Sequence, residues 1–224
     1  MKPRRALIIS PAGQIYDRDK VKWYTIPENK KETDLIEKYF NIGDMVVYDS
    51  TLKLLDFDEF EPMSIINPTP EQIERYKNFD AVFVRASNFI HNDMHWHKAA
   101  YVLQQIDLPV YAVGVGAQAS VREKYNLNSE NATFWNLVAE RSKVIGVRGT
   151  FSADVLYSNG IKNVEICGCP SIFRRRNRDL QIKIPDEIRK VAFSIRREVD
   201  ATYAADTAKY ISMQRDLLHD AAKN

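Results

Sequence analysis

The chain has 224 residues, of which 45% are hydrophobic and 28% are charged, a composition typical of a soluble globular protein. Its 32 basic and 30 acidic residues leave a net charge of +2, so no global charge favours nucleic-acid or membrane binding. No apolar run approaches the about 20 residues of a membrane span, and the one near the N-terminus is too short for a signal peptide. The sequence therefore predicts a cytoplasmic protein, in which its two cysteines are reduced.

Six short runs rich in β-branched residues predict the strands. Several of them are apolar at nearly every position, as strands are when helices cover both faces of a parallel sheet. The predicted strands are Arg5–Ser10, Ala81–Ala86, Val110–Val115, Lys143–Val147, Val164–Cys167 and Val191–Ile195.

Helical patterns with start and stop signals lie between these strands. Thr69 and Pro70 form a helix start that Gln72 completes as a capping box, and Asn159-Gly160 is typical of a helix stop. The alternation of strands, helices and short loops predicts an α/β fold with a Rossmann-like, doubly wound, mainly parallel sheet. The predicted helices are Met45–Leu55, Glu71–Phe79, His95–Ile106, Asn131–Arg141, Phe151–Ser158 and Thr207–Ala222.

A polar stretch near residue 180 suggests where this domain ends. Residues 1–180 are predicted to form the α/β domain, and residues 181–190, which include Pro185, a linker. Residues 191–224 supply one strand and one helix, which are too few to bury a core. We therefore expect them either to begin a second domain or to pack back on the first.

Three local features have a plain structural reading beside a functional one. The arginines between Arg174 and Arg178 indicate a solvated loop or, less plainly, an anion site. Cys167 and Cys169 are interpreted as strand residues beneath a crevice, because two cysteines without a second pair make a poor zinc site. The glycosylation sequon at Asn131 carries little weight in a chain without an export signal.

Three segments carry motifs that are more specific together than apart. Residues 141–173 hold a strand ending in Arg148, a helix, and a second strand that ends in the turn Gly168-Cys169-Pro170. Asn41–Asp44 precedes an apolar helix, and Gly114–Gln118 follows a strand as a glycine turn. In this order and spacing, the segments resemble the signature regions of the polysaccharide pyruvyl transferase family.

This resemblance implies an architecture like the first half of a GT-B fold, and a role in exopolysaccharide biosynthesis. The implied reaction transfers pyruvate from phosphoenolpyruvate to sugar hydroxyls as a ketal, so the partners are this donor and a carbohydrate acceptor, without a cofactor, a metal or nucleic acid. Residues 84–88 depart from the family, which often has a glycine cluster at this place, and Cys169 replaces the acidic residue of the family's Gly-Asp-Pro-like turn. Two alternatives stay open, a GT-B-type glycosyltransferase that uses a nucleotide sugar and a non-catalytic carbohydrate-binding protein. Two further questions stay open, whether the protein forms a homo-oligomer and whether the chain is a truncated piece that is inactive alone.

The implied chemistry needs a general acid, a base, and cations for a carboxylate and a phosphate. Arg148 is the leading candidate, because it follows a buried strand and precedes a helix, where open α/β sheets bind ligands. The alternative is that Arg148 only pairs with a nearby carboxylate. His91 is a candidate general acid. Asp44 is a candidate base or sugar-hydroxyl ligand on the acceptor side, although helix capping alone explains it somewhat better.

Further residues are candidates for binding the donor or the acceptor. Most of them follow predicted strands, so they are expected at the same edge of the sheet. These candidates are Asn41, Gly43, Arg85, Ser87, Asn88, Gly114, Gly116, Gln118, Gly149 and Thr150. Thr150 and Ser152 are candidates either to cap the following helix or to hold a ligand oxygen. The glycine turn lacks the third glycine of a dinucleotide site, and the pair His91 and His95 lacks an acidic third ligand for a metal.

Overall fold

The computed structural model of the chain describes residues 4–9, 14–17, 20–23, 42–55, 57–63, 68–119, 125–173, 184, 186–187, 190, 192 and 206–223. The strands in these residues are β1 Arg5–Ile9, β2 Gln14–Asp17, β3 Lys20–Trp23, β4 Glu59–Pro62, β5 Ala81–Val84, β6 Val110–Val115, β7 Ile145–Val147 and β8 Val164–Ile166. The helices are α1 Ile42–Leu54, α2 Pro70–Tyr76, α3 His97–Gln105, α4 Ser129–Arg141, α5 Thr150–Ser158 and α6 Thr207–Lys223, with a 3-10 turn at Pro170–Phe173.

Six of these strands form one sheet in the order β4-β1-β5-β6-β7-β8, and every neighbouring pair is parallel. The chain moves one way from β1 to β4, then returns past β1 to β5 and continues outward to β8. The reversal places a topological switch point between β1 and β5, where ligands bind in open α/β sheets. The predicted fold class is confirmed. The strands β2 and β3 form a separate antiparallel hairpin.

Alternating residues of the central strands face two different layers. Val82 and Val84 of β5 pack in the large core beneath the helices α2 to α5, whereas Phe83 packs on the other face with Ile8 and Tyr48 of α1. Because apolar side chains cover both faces, all four residues of β5 are buried. The central strands are therefore rigid supports for whatever lies at their ends.

A cluster of aromatic rings joins α3 to α4. Trp96, just before α3, stacks on Phe134 of α4 with a 4.1 Å centroid separation, and contacts Phe89 and Trp135 edge-on at 5.9 and 6.4 Å. Trp96, Phe134 and Trp135 are fully buried. Such rings bury large areas and favour these geometries, so the cluster fixes the two helices relative to each other.

Most element boundaries agree with the sequence predictions to within two or three residues. The capping box of Thr69 and Gln72 is present, with a 3.2 Å bond from the Gln72 amide to Thr69 Oγ1. The helix predicted from His95 begins two residues later, at His97, after a turn at Asn92-Asp93. The sequence analysis missed β4, since Glu59–Pro62 alternates charge and apolar character at the sheet edge, where strands need no continuous apolar run.

The C-terminal part of the chain is described only in pieces. The helix predicted over Thr207–Ala222 is confirmed as α6, which has no buried residue. Most of the predicted strand Val191–Ile195, most of the linker and the arginines from Arg174 to Arg178 lie outside the described residues, so the domain division stays a prediction. Among the described helices, none combines the length and apolar character that a bilayer span requires.

The aromatic cluster gives a first test of the fold. Trp96→Ala should lower the free energy of unfolding by about 3–5 kcal/mol, because it leaves a large cavity among rings that cannot fully collapse. Tyr101→Ala, on the same helix but with a side chain 52% exposed, should change it by less than about 0.5 kcal/mol. Urea denaturation measures both, and similar losses for the two variants would contradict the packing described.

Candidate functional site

Three polar side chains meet where β5, β6 and β7 end. Asn88, Gln118 and Arg148 follow these strands in turn, and we call them the strand-end cluster. Arg148 donates from Nε to the carbonyl of Gly114 at 2.9 Å and from Nη1 to Asn88 Oδ1 at 2.9 Å. The Asn88 amide in turn donates to Gln118 Oε1 at 3.4 Å. All three residues were binding or catalytic candidates, and the structure brings them together.

The charge of Arg148 is not neutralised within this cluster. Its guanidinium is half-buried and contacts only a carbonyl and an amide oxygen, and among the described residues no carboxylate pairs with it. The pairing that the sequence analysis left open is therefore not seen in this part of the chain. A half-buried cation without a counter-ion favours an anionic ligand.

Gly116 allows the cluster to assemble. Its N–H donates to the carbonyl of Ser87 at 2.8 Å, and its own carbonyl accepts from Ile90 at 3.0 Å. A Cβ placed on Gly116 would lie 2.5 Å from Asn88 Oδ1 and 3.2 Å from Cδ of Arg148. Only glycine leaves room for both side chains, and this close packing explains the Gly-x-Gly pattern without a ligand contact by Gly116.

Gly114 has a different role at the end of β6. Its φ of +71° lies in the left-handed region, and an added Cβ would overlap the ring of Pro170. The 3-10 turn that begins at Pro170 thus closes directly over the glycine turn. This turn also packs against α1, so it connects the first helix to the strand-end cluster.

The first turn of α5 lies directly beside Arg148. Its N-cap is Gly149, and no side chain caps the helix. The capping alternative for Thr150 or Ser152 is therefore wrong, because Ser152 Oγ accepts from the Ala117 amide at 2.8 Å instead. An added Cβ at Gly149 would meet no described atom within 4 Å. No described residue therefore fills the space beside the positive end of α5 at Gly149.

Arg85 lies deeper, at the switch point beside β1. Its side chain is 1% exposed and lies beneath two rings, with centroid distances of 5.9 Å to Tyr48 and 5.5 Å to Phe89. Ser87 is also buried, and its carbonyl holds the Gly116 amide. Their roles in ligand binding stay predictions, and their positions suit support of the strand-end cluster.

His91 follows the backbone pair of Ile90 and Ala117, which extends the parallel pairing beyond β5 and β6. Its side chain is 15% exposed, and Nδ1 lies 3.5 Å from Oδ2 of Asp93. Burial lowers the pKa of His91 more than Asp93 raises it, so the ring is neutral at pH 7. His95 is exposed. Among the described residues, no group of three or more His, Cys, Asp or Glu is placed to hold a metal ion.

The acceptor-side candidates open α1. The helix begins at Ile42, so Gly43 and Asp44 belong to its first turn rather than preceding it. Gly43 is exposed. Asn41 lies outside the described residues, as does the side chain of Asp44, and their roles stay predictions.

The cysteines lie beyond β8. The strand ends at Ile166, so the interpretation of Cys167 and Cys169 as strand residues is wrong. Both are free, and Cys169 Sγ lies 3.1 Å from Ser171 Oγ. Burial raises the pKa of the Cys167 thiol, which leaves it protonated and a poor nucleophile at neutral pH.

Asparagine side chains tie together the loops that carry the cluster. Asn128 donates two hydrogen bonds to Asn92, which lies in the loop before α3. Its backbone N–H donates to Asn92 Oδ1 at 2.8 Å, and its Nδ2 donates to the Asn92 carbonyl at 3.2 Å. Asn128 Oδ1 also caps α4 by accepting from the Asn131 amide at 2.9 Å. Asn131 is fully buried and donates to the Met94 carbonyl at 3.1 Å, so the sequon is closed in the folded protein.

Glu130 extends this connection between the two loops. Its Oε1 accepts from the His97 backbone amide at 2.9 Å and lies 3.3 Å from His97 Nδ1. A carboxylate of α4 therefore caps the N-terminus of α3. The sequence analysis missed this network, because each of these residues also fits an ordinary helix start. Only the fold shows that they bind partners from another loop.

Comparison with known proteins gives one match. The model of the family described as "Polysaccharide pyruvyl transferase" matches residues 41–223, which is most of the chain. The matched range includes the strand-end cluster. No significant match is found among curated proteins or solved structures.

The glycine turn can be tested with a matched pair of variants. Gly160→Ala should cost about 1–2 kcal/mol, because Gly160 has a φ of +85° but open space around its Cβ position. Gly114→Ala should cost at least about 1 kcal/mol more, since Pro170 must also move. Equal losses in urea denaturation would contradict the close contact between Gly114 and the 3-10 turn.

The cap on α3 predicts a pH dependence. Hydrogen bonding from the His97 backbone holds the pKa of Glu130 below its ordinary value of 4.5. The carboxylate therefore stabilises the fold above that value, and this contribution is lost as pH falls through the lower, folded-state pKa. Glu130→Gln should cost about 0.3–1 kcal/mol at neutral pH, and the difference from wild type should narrow as pH falls below 4.5 and through the folded-state pKa.

Glu140→Gln is the control, because it removes the same charge from an exposed position on α4 without removing the cap. Chemical denaturation across the pH range measures all three proteins. The charged cap is contradicted if the difference in unfolding free energy between wild type and Glu130→Gln stays constant with pH. It is also contradicted if Glu140→Gln shows the same difference and the same pH dependence.

Proposed function

The chain belongs to the polysaccharide pyruvyl transferase family, and on this premise we propose that it transfers pyruvate from phosphoenolpyruvate to two hydroxyls of a carbohydrate, forming a ketal. The observation that carries the proposal is the charge of Arg148 at the carboxyl edge of a parallel sheet, which no carboxylate of the described residues compensates. The same proposal includes a cytoplasmic location, a role in exopolysaccharide biosynthesis, and a GT-B-like architecture of which this domain is the first half.

The reaction forms two carbon–oxygen bonds and breaks one. The methylene carbon of phosphoenolpyruvate gains a proton and becomes the methyl group of the ketal. Both acceptor hydroxyls bond to the adjacent carbon, and the bond from that carbon to the phosphate oxygen breaks. The two hydroxyl protons balance the proton that the methyl group gains and the one that leaves with phosphate.

Arg148 and the start of α5 supply what an anionic donor needs. With Nε and Nη1 held by Gly114 and Asn88, the guanidinium is fixed in direction before a ligand arrives. The uncapped first turn of α5, at Gly149 and Thr150, adds backbone N–H groups and the positive end of the helix dipole. Together they bind the carboxylate or the phosphate, and they stabilise the charge on the leaving phosphate.

His91 is the proposed proton carrier. Because burial keeps the ring neutral near pH 7, His91 first accepts a proton from an acceptor hydroxyl, and then holds one that can pass to the methylene carbon. The sequence analysis expected an acid at this position, and the lowered pKa favours the base role as the first step. Asp44, in the first turn of α1, remains the proposed partner on the acceptor side.

Donor binding can be tested by thermal unfolding of the full chain with phosphoenolpyruvate. At a concentration about 100-fold above the Kd, the ligand should add about 2.7 kcal/mol of stability. This corresponds to a midpoint increase of roughly 5–10 °C for a domain of this size. Arg148→Ala should abolish the increase. Gly149→Val should reduce it, measured from the variant's own midpoint without ligand, because the new side chain stands beside the free N–H groups of the first turn.

Arg75→Ala is the matched control, because it removes an exposed arginine that pairs with Glu61 on the edge strand. It should keep the full response to phosphoenolpyruvate. The proposal fails if phosphoenolpyruvate does not protect the wild type, or if Arg148→Ala is protected as well as Arg75→Ala. Protection by a nucleotide sugar in place of phosphoenolpyruvate would favour the glycosyltransferase reading.

A further inference from the structure

A groove of about 360 Å³ runs between α3 and α4, on the outer surface of the helix layer. His97, Glu130 and Ser129 line its upper end, and Tyr101, Gln104 and Thr133 line the part that runs down the helices. Its volume lies in the range of small-molecule sites. We call it the helix groove. None of its described lining residues belongs to the strand-end cluster.

The chemistry of the helix groove differs from that of the cluster. Among the described residues that line it, none is a lysine or arginine, and Glu130 contributes a carboxylate. An anion such as phosphoenolpyruvate is therefore disfavoured here. A neutral ligand with many hydroxyls fits better, because an amide, a hydroxyl and a carboxylate offer donors and acceptors in a small space.

Tyr101 adds an apolar surface to this polar lining. Its side chain is 52% exposed, whereas Trp96, just before the same helix, is fully buried. A tyrosine ring presents a flat apolar face together with a polar tip. A sugar ring has the same dual character, with an apolar face of C–H groups and hydroxyls around its edge.

The position of the groove relates it to the strand-end cluster. In a parallel sheet, helix N-termini lie at the same edge as the carboxyl ends of the strands. The loop that carries Asn88 and His91 leads directly into α3, and the segment after Gln118 leads into α4. The bond between His97 and Glu130 then fixes the two helix starts side by side at the mouth of the groove. The groove therefore starts at the edge where the cluster lies and runs away from it.

We propose that the helix groove binds the neutral sugars of the carbohydrate acceptor next to the one that reacts. Tyr101 packs against a sugar ring, and Gln104 and Thr133 hydrogen-bond to its hydroxyls. This inference rests on the proposed function, and it deepens it, because it gives the neighbouring sugars of the acceptor a binding site apart from the strand-end cluster.

The test measures binding to an array of neutral glycans, from monosaccharides to hexasaccharides of hexoses and N-acetylhexosamines. Wild type should bind at least one oligosaccharide about tenfold more tightly than the corresponding monosaccharide. Tyr101→Ala and Gln104→Ala should remove this preference for length, and Tyr101→Phe should keep it, since the ring remains. Tyr111→Ala, which removes a 44% exposed tyrosine from the opposite face of the sheet, should have no effect.

Two results would overturn the inference. One is the absence of any preference for an oligosaccharide over its monosaccharide in wild type, and the other is a preference that Tyr101→Ala leaves intact. The response of Tyr101→Ala to phosphoenolpyruvate, measured by thermal unfolding, separates this inference from the proposed function. If phosphoenolpyruvate protects the protein but Tyr101→Ala does not change glycan binding, only the proposal for the helix groove is refuted. Tyr101-dependent glycan binding without donor protection refutes the transferase reaction and leaves the groove as a carbohydrate site.

Discussion

The backbone pairing around Gly116 is the constraint on which the candidate site depends. Parallel pairing between β5 and β6 continues past both strand ends, through the bonds of Gly116 to Ser87 and Ile90. This continuation brings the loop after β5 against the loop after β6, and Arg148 then packs over the glycine from the end of β7. The loops that carry the cluster are thus positioned by main-chain hydrogen bonds, which are strong and specific in direction, and the side-chain bonds among Arg148, Asn88 and Gln118 form on this support.

The sequence predicted much of this arrangement. Fully apolar strands and capped helices have distinct periodicities, so the order of elements and the parallel sheet could be read directly. Because the carboxyl ends of parallel strands share one edge, residues as distant as Asn88 and Arg148 could be expected there together. That they contact each other, and that Arg148 has no carboxylate beside it in the described residues, required coordinates. No local pattern specifies which of several polar neighbours an arginine reaches.

The features that the sequence did not reveal share a physical cause. The strand β4 lies at the sheet edge, where burial is partial and the apolar pattern is weak. The link between Glu130 and His97 joins residues whose side chains would both suit a solvated helix start. Ser152 could equally have capped its own helix, but in the fold it holds the Ala117 amide. In each case, the sequence gives a residue type suited to several partners, and the tertiary structure selects one.

The burial of Asn131 has a practical consequence for producing this protein. Its amide is enclosed between α3 and α4 and donates to the Met94 carbonyl, while the residues around it form an acceptor site for N-linked glycosylation. A eukaryotic secretion host attaches such glycans to the nascent chain, before this amide is enclosed. The bulky group would then keep α4 from docking, and the product would be retained as misfolded material. Expression in a bacterial cytosol avoids this outcome without any change to the sequence.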